Sequence, residues 1–434
     1  MRPIFRALVM ATIASSSFSL SVWADSSSLA AGNAITLSEA IKATLQHNPQ
    51  LMGYEFRVKA LAGEQQTAGL KPQMRLSSQF ENIAGSGDFK GVDAGELTLS
   101  LSSVIELGGQ RDARLGLVTA RQQQLESTQR LLTLDLLTQV TQQFIELAAA
   151  QEQLNLLQQT QKLAQENISS LSRQVQAGRT PEAELLRAKA ALARVTIDVQ
   201  KTRQQLNSER IKLSAFWAST QPTFTQVEAD LFALPPLVPL PTLISKLDTN
   251  PDLAVLGDEV LLRAAELRQA QAERKANVEW SAGVRRLQVS DDSALVLGVS
   301  MPLGSANRAS GAITTASANQ AGAEQERSTA RIKLHAQLVS LHGAYEQALA
   351  EVNSLRSDAL PPLKQAMRAT ADGFQQGRYS YLELNLAQRE LLDAQLALID
   401  SAARAHELST DIERLTGAPL NAAPQPNSEA KTLP

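Results

Sequence analysis

Few side chains in this sequence are equipped for chemistry. Cysteine is absent and histidine occurs four times in 434 residues. Thiol catalysis, disulfides and Cys-based metal sites are therefore excluded. His335 and His342 lie seven apart on one helix face, with Glu346 one turn further. The trio can be drawn as a metal site, but no other His or Cys supports it, and we assign no metal-ligating residues. "GSANRASG" (304–311) is Gly/Ser-rich, yet no Lys follows it as a phosphate loop requires. No Ser/His/Asp constellation stands out, and acidic pairs such as Glu182 and Glu184 read as solvated helix surface. The sequence makes no case for an enzyme and implies no cofactor.

The informative residues sit instead at two related turns. "QVQAGRTPEAELLRAKAAL" occupies 174–192 and "GFQQGRYSYLELNLAQREL" occupies 373–391. Gly178 and Gly377 suit the left-handed position that ends a helix. After Arg179, Thr180 suits the N-cap and Pro181 the first position of a return helix. After Arg378 and Tyr379, Ser380 is the N-cap candidate, and Glu383, three residues on and just past Tyr381, completes a capping box. Both turns read as hairpin tips.

Long helices must hold these tips. No proline occurs between Arg111 and Ala177, and Leu125, Leu132, Leu136, Val140, Phe144, Leu147 and Leu154 step by threes, fours and sevens. Leu185 to Leu213 and Leu384 to Leu415 do the same, as coiled-coil seams do. A helix of about 65 residues spans roughly 100 Å. A soluble helical bundle would show the same periodicity.

The unit occurs twice, at an offset near 200 residues. "IKATLQHNPQL" (41–51) matches "LISKLDTNPDL" (243–253), and the two Gly-Arg turns align. The first repeat is placed at 25-231 and the second at 243-417. Between them lies the proline-rich run 232-242, expected to be an extended linker without helix. Residues 418-434, with Pro419, Pro424 and Pro426, read as a flexible tail.

Each repeat also carries a strand pair, within 73-106 and within 277-302. Leu97, Leu99 and Leu101 alternate with Thr98, Ser100 and Ser102, and Leu295, Leu297, Val299 and Met301 share a face. Any one such segment fits a half-buried strand of a soluble sheet. Four together, about ten residues long and strictly alternating, fit an outer-membrane barrel, with Phe80 and Trp280 as candidates for an aromatic girdle. Glu81 and the Arg285–Arg286 pair would face a lumen or lie at a wet rim. Four strands cannot close a barrel alone, and an open edge in lipid is forbidden. Three chains would supply twelve strands if the symmetry were threefold.

Residues 1-24 read as an export signal: Arg2 and Arg6, a short apolar stretch, then Val22-Trp23-Ala24 before an expected cleavage at Asp25. Forty-one basic and 44 acidic residues make the chain mildly acidic, and losing Arg2 and Arg6 makes it more so. That argues against nucleic acid as a partner. No later stretch is apolar for long enough to be a membrane-spanning helix.

With these features in place, the sequence resembles the TolC-type outer-membrane efflux factors from about Ile35 to Pro419. "SLSSVIELGGQRDARLGL" (100–117) and, in part, "LGVSMPLGSANRASGAI" (297–313) look like the cobalt–zinc–cadmium branch of that family. The second stretch keeps Pro302, Leu303, Asn307, Arg308 and Gly311 but shortens what lies between. The resemblance implies a mainly α fold with a small β part. It also implies a homotrimer: an outer-membrane β-barrel with four strands per chain, continued by a long periplasmic α-helical barrel, with the linker in an equatorial region. The implied partners are outer-membrane lipid, a periplasmic adaptor that meets the hairpin tips at Gly178, Arg179, Gly377 and Arg378, and an inner-membrane RND transporter. Candidates for the periplasmic aperture are Glu383, Glu184, Arg378, Tyr379 and Tyr381. The implied function is an exit duct for divalent heavy-metal cations. Alternatives are a drug-efflux or type I secretion duct and, from another class, a periplasmic coiled-coil adaptor or scaffold. An adaptor would carry one hairpin between small β-domains, not two hairpins each preceded by alternating strands.

Overall fold

The structure, a computed structural model, describes residues 34–417. The expected signal at 1-24 and the tail 418-434 lie outside the described residues. In chain order the first half runs β1 (Ala34–Ile35), α1 (Leu37–His47), α2 (Pro49–Ala68), β2 (Arg75–Glu81), β3 (Glu96–Ile105), α3 (Gln110–Gln176), α4 (Glu182–Ala215) and β4 (Gln226–Val227). The second runs α5 (Leu240–Lys246), α6 (Pro251–Ala272), β5 (Val278–Leu287), β6 (Asp292–Ser300), α7 (Ser305–Ser354), α8 (Leu360–Gln375) and α9 (Tyr381–Thr416).

The Asn-Pro pairs explain why each half starts as it does. Proline lacks the N–H that a first helical residue leaves unused, so Pro49 and Pro251 begin α2 and α6 without loss. The preceding asparagine caps the helix and reaches across to the end of that half's return helix. Asn48 Oδ1 accepts from the Gln50 N–H at 2.9 Å while its Nδ2 donates to the Phe216 carbonyl at 2.8 Å. Asn250 Oδ1 accepts from Leu253 N–H at 3.0 Å, and its Nδ2 donates to the Leu415 carbonyl at 2.6 Å. Asn48 thus ties the start of α2 to the end of α4, and Asn250 ties the start of α6 to the end of α9.

Strand-to-helix corners are also duplicated. Gly109 at the head of α3 and Gly304 at the head of α7 both take left-handed backbone, with φ of 73° and 83°. At the first corner Gly108 runs so close to α6 that a Cβ would lie 2.8 Å from the Ala272 carbonyl oxygen. Glu106 then pairs with Arg114 through both carboxylate oxygens, which holds the carboxyl below its usual range. The "IELGGQR" run is thus a built corner that aims a strand into a 67-residue helix.

Helix α3 packs along α2, α4, α6 and α9, and α7 packs along α6 and α9. Val140, Phe144, Leu147 and Leu213 form one core with Ile35, Phe224 and Val227, where β1 and β4 pair in parallel. Leu338, Tyr345, Ile412 and Leu415 form its counterpart with Leu243 and Leu247.

The two halves differ in two places. First, α3 is unbroken, whereas its counterpart is interrupted by a π-turn at Leu355–Ala359 before α8. Pro361 and Pro362 stand just after it. Each would clash with a carbonyl one turn back, and a wider turn relieves the clash. Second, the run 232-242 is not helix-free: α5 begins at Leu240, with Pro241 in its first turn. A proline there costs nothing, so the rule that proline forbids helix failed at its known exception. The rest of the run, together with Leu231 just before it, is strapped to the helices. His406 donates from Nε2 to the Leu231 carbonyl (3.0 Å), Tyr345 Oη to Pro235 (2.5 Å) and His342 Nε2 to Val238 (3.0 Å).

Strands β2, β3, β5 and β6 form one antiparallel sheet in that order. Leu76, Leu101, Ala282 and Leu297 align across it, as do Ser78, Leu99, Val284 and Leu295. Both hairpin loops, 82–95 and 288–291, lie at the end away from the helices.

Candidate functional site

Two surfaces of the chain can do something: the paired hairpin tips and the two faces of the sheet. At the first tip α3 ends with Gly178 left-handed (φ 66°), and the N–H groups of Gly178 and Arg179 close on the carbonyls of Val175 and Gln174, both at 2.9 Å. At the second, Gly377 (φ 72°) and Arg378 close on Phe374 and Gly373 at 3.0 and 2.8 Å. This is one helix-ending motif used twice.

The starts of the return helices differ. Thr180 does not cap α4. Its hydroxyl donates back to Gln174 Oε1 at 2.9 Å, and α4 begins at Glu182 with extended Pro181 before it and no side-chain cap. Proline's fixed φ sets the entry, so a hydroxyl cap is dispensable, and Thr180 secures the departing helix instead. Ser380 does cap α9. Its Oγ accepts from the Glu383 N–H at 3.4 Å, while Glu383 Oε2 accepts from the Ser380 N–H at 2.7 Å and its hydroxyl at 2.9 Å. The backbone donor first, then the hydroxyl, holds the Glu383 carboxyl below its ordinary range.

The two hairpins meet through a small core of Leu171, Ala188, Phe374, Tyr381 and Leu384. Tyr381 is 2% exposed and lies edge-on to Phe374 at 6.4 Å. It packs the two hairpins together, and its ring is not offered to solvent at the tip. Tyr379, in contrast, is exposed, as are Arg179, Arg378 and Glu383. Arg378 Nη2 donates to the Gln376 side chain. Glu184 is only partly exposed; its Oε1 accepts from Arg187 at 3.4 Å, and its Oε2 is buried without a hydrogen-bond partner within the chain. Leu382 and Leu386, one turn apart, are both 56% exposed.

The sheet has two unlike faces. One carries Leu76, Phe80, Leu97, Leu99, Leu101, Trp280, Val284, Leu295, Leu297 and Val299. Leu297 is 70% and Val299 78% exposed, and among the described residues nothing covers these positions. Phe80 and Trp280 lie on it six β3 residues apart in register, about 20 Å along the strands. The other face carries Ser77, Ser100, Ser281 and Ser102 with Gly283 and Gly298 among them. A Cβ on Gly283 would lie 2.6 Å from the Leu99 carbonyl oxygen, and one on Gly298 would lie 2.5 Å from Ser281 Oγ. Two positions on the polar face thus have no room for a side chain. Arg285 lies on this face; Arg286 lies on the apolar one, at its loop end, paired with Asp291.

Sequence reasoning missed the linker strap. His342, which its spacing from His335 offers as a metal ligand, instead donates to the Val238 carbonyl, while His335 stands exposed. Among the described residues no three His, Cys, Asp or Glu side chains are grouped to hold a metal, and no helix is long and apolar enough to cross a membrane.

Comparison with known proteins agrees with this geometry. Residues 40–219 match the family model described as "Outer membrane efflux protein". The chain is 27% identical to the cobalt-zinc-cadmium resistance protein CzcC of Cupriavidus metallidurans over 321 residues, 74% of this chain and 77% of that protein. It is 23% identical to the nickel-cobalt-cadmium resistance protein NccC of Alcaligenes xylosoxydans xylosoxydans, covering 71% and 70%. The crystal structure of CusC superposes with a TM-score of 0.73 at 16% identity, over 88% of this chain and 92% of that one. The mainly α fold with its small sheet is shared with that structure.

Proposed function

We propose that this chain, whose residues 40–219 carry the outer membrane efflux family's sequence and whose fold is that of the TolC-type channels, is the outer-membrane exit duct of a tripartite RND efflux system exporting divalent heavy-metal cations. One observation carries the duct: a four-stranded sheet with a largely exposed apolar face, a crowded polar face and two open edges, set at one end of long helices. Lipid accepts the apolar face but not the edges. Further copies of the chain must complete the sheet, and a homotrimer would give twelve strands. The polar face then lines the lumen, and the roughly 20 Å between Phe80 and Trp280 approaches the roughly 25 Å apolar band of such barrels.

The far end serves the partners. The exposed Gly178-Arg179 and Gly377-Arg378 tips are the surfaces offered to a periplasmic adaptor, which would couple the duct to an inner-membrane RND transporter. The tip core built on Tyr381 makes the two hairpins move as one, with Glu383 the acidic group left to line an aperture. The cargo assignment rests on the likeness to the CzcC and NccC resistance proteins.

Two experiments test this reading. The protein should stay in envelopes washed with carbonate; release would overturn the barrel. Deletion should sensitise cells to cobalt, zinc or cadmium. Unchanged metal tolerance with raised sensitivity to organic drugs would overturn the cargo.

A further inference from the structure

The polar face of the sheet holds one charged assembly near its loop end. Arg285 on β5 reaches over two neighbouring strands. Its Nη1 donates to Glu96 Oε2 at 2.9 Å, its Nε to Thr98 Oγ1 at 3.0 Å and its Nη2 to Glu81 Oε2 at 3.2 Å. The remaining carboxylate oxygens are also occupied. Asn82 Nδ2 donates to Glu96 Oε1 at 3.0 Å, and Gln79 Nε2 donates to Glu81 Oε1 at 3.1 Å. All four oxygens of the pair therefore accept hydrogen bonds from the protein itself.

The placement matters because these two glutamates lie opposite each other in register, at the last ladder rung before the loop. Facing carboxylates on adjacent strands, without a cation between them, make an oxygen site suited to a divalent metal. A duct needs the reverse: binding weak enough for the ion to leave. An arginine fork fills the site with the protein's own cation, held in place by its hydrogen bonds. In the ring of copies that the exit-duct reading requires, the assembly recurs once per chain around the outer mouth.

We propose that Arg285 is a selectivity-determining residue of the outer mouth: by occupying Glu81 and Glu96 it keeps this ring from capturing divalent cations, so that cargo leaves. The inference rests on the exit-duct reading, and planar-bilayer recording of the full-length protein separates the two. Wild-type protein that assembles but conducts nothing would overturn the duct reading, and this inference with it.

Given a wild-type channel, Arg285→Gln should raise the K⁺ over Cl⁻ permeability ratio by about threefold, the weight of a local potential change of order kT. It should also make the current sensitive to Zn²⁺ added on the loop side, with Arg285→Lys restoring the permeability ratio toward wild type. An assembled Arg285→Gln channel with wild-type selectivity and no Zn²⁺ block would overturn the proposal and leave Arg285 as a strand clamp. If Arg285→Gln fails to assemble, Glu81→Gln/Glu96→Gln provides the test from the other side. That variant should lower the same ratio, and an unchanged ratio would overturn the proposal equally.

Discussion

The ring of Tyr379 lies directly against Gly373: a Cβ on that glycine would meet Tyr379 Cδ2 at 2.2 Å. Gly373 is buried within α8, one turn before the tip, and its carbonyl accepts from the N–H groups of both Arg378 and Tyr379. The glycine lets the tyrosine fold back over the helix that it has just left. The first tip has Thr180 bonded to Gln174 instead. The second tip is therefore closed by a ring on a glycine, the first by a hydroxyl on an amide.

Gly373→Ala should expel the Tyr379 ring without unfolding the protein. Alanine gains about 1 kcal/mol of helix propensity over glycine, which offsets part of the crowding, about 1–3 kcal/mol for an overpacked site. We expect near-wild-type melting but faster amide exchange at Arg378 and Tyr379. Unchanged exchange would show that the ring contact does not order the tip.

Asn250→Ala should be more damaging than an exposed cap would suggest. It loses the α6 cap, about 0.5–2 kcal/mol, and leaves the buried Leu415 carbonyl without its donor, about 1–3 kcal/mol more. Asn250→Asp keeps the acceptor for the Leu253 N–H but sets a buried carboxylate oxygen against the Leu415 carbonyl oxygen, and should cost at least as much. Denaturant melts of the purified protein check the ranking.

His406 gives the fold an acid sensitivity. Burial lowers its pKa below the ordinary 6.5, with the Leu231 carbonyl and Asp230 opposing. The unfolded chain therefore binds this proton more readily than the folded one. Stability from this group is present above about pH 6.5 and falls as pH drops below it, levelling off at the lower folded value. His406→Gln should flatten the melting-temperature profile over that range relative to wild type. Parallel profiles would refute the linkage.

The two faces of the sheet should respond differently to charge. Leu297→Arg puts a cation on the apolar face and should cost about 2–4 kcal/mol of membrane stability. Ser77→Arg, on the polar face, should assemble. The yield of heat-modifiable protein in outer membranes measures both, and equal yields would contradict the assignment of faces.

At Glu383 the helix cap that the structure shows can be separated from the aperture role that we propose. Glu383→Ala removes the carboxylate that accepts from Ser380, so exchange at the start of α9 should quicken. Because its carboxyl is held low, the bond persists through the neutral range and is lost only as pH falls through the folded pKa. If the residue also lines an aperture, cation selectivity in bilayers should fall. Selectivity identical to wild type would leave it as a helix cap.

What the sequence determined by itself is what neighbours within a few residues decide. Gly178 and Gly377 end helices because a residue without Cβ takes left-handed backbone freely, and Ser380 caps α9 because Glu383 sits three residues on. Alternation in 96–102 and 295–301 already divided the sheet into an apolar and a polar face, since the side-chain period of a strand is two. Duplication was legible from the paired Asn-Pro and Gly-Arg motifs. Thr180 and Pro241 were misread because two local rules compete there, and the packing of the preceding helix and linker chose between them.

Only the tertiary structure decided which of two neighbouring tyrosines is buried, because Tyr381 packs on Leu171 and Ala188 from the other hairpin. His342, Tyr345 and His406 bind linker carbonyls 104 to 175 residues away, and Arg285 reaches Glu96 across 189. No local propensity encodes such partners. They exist because folding both halves side by side brings distant polar groups together, where each must find a hydrogen bond.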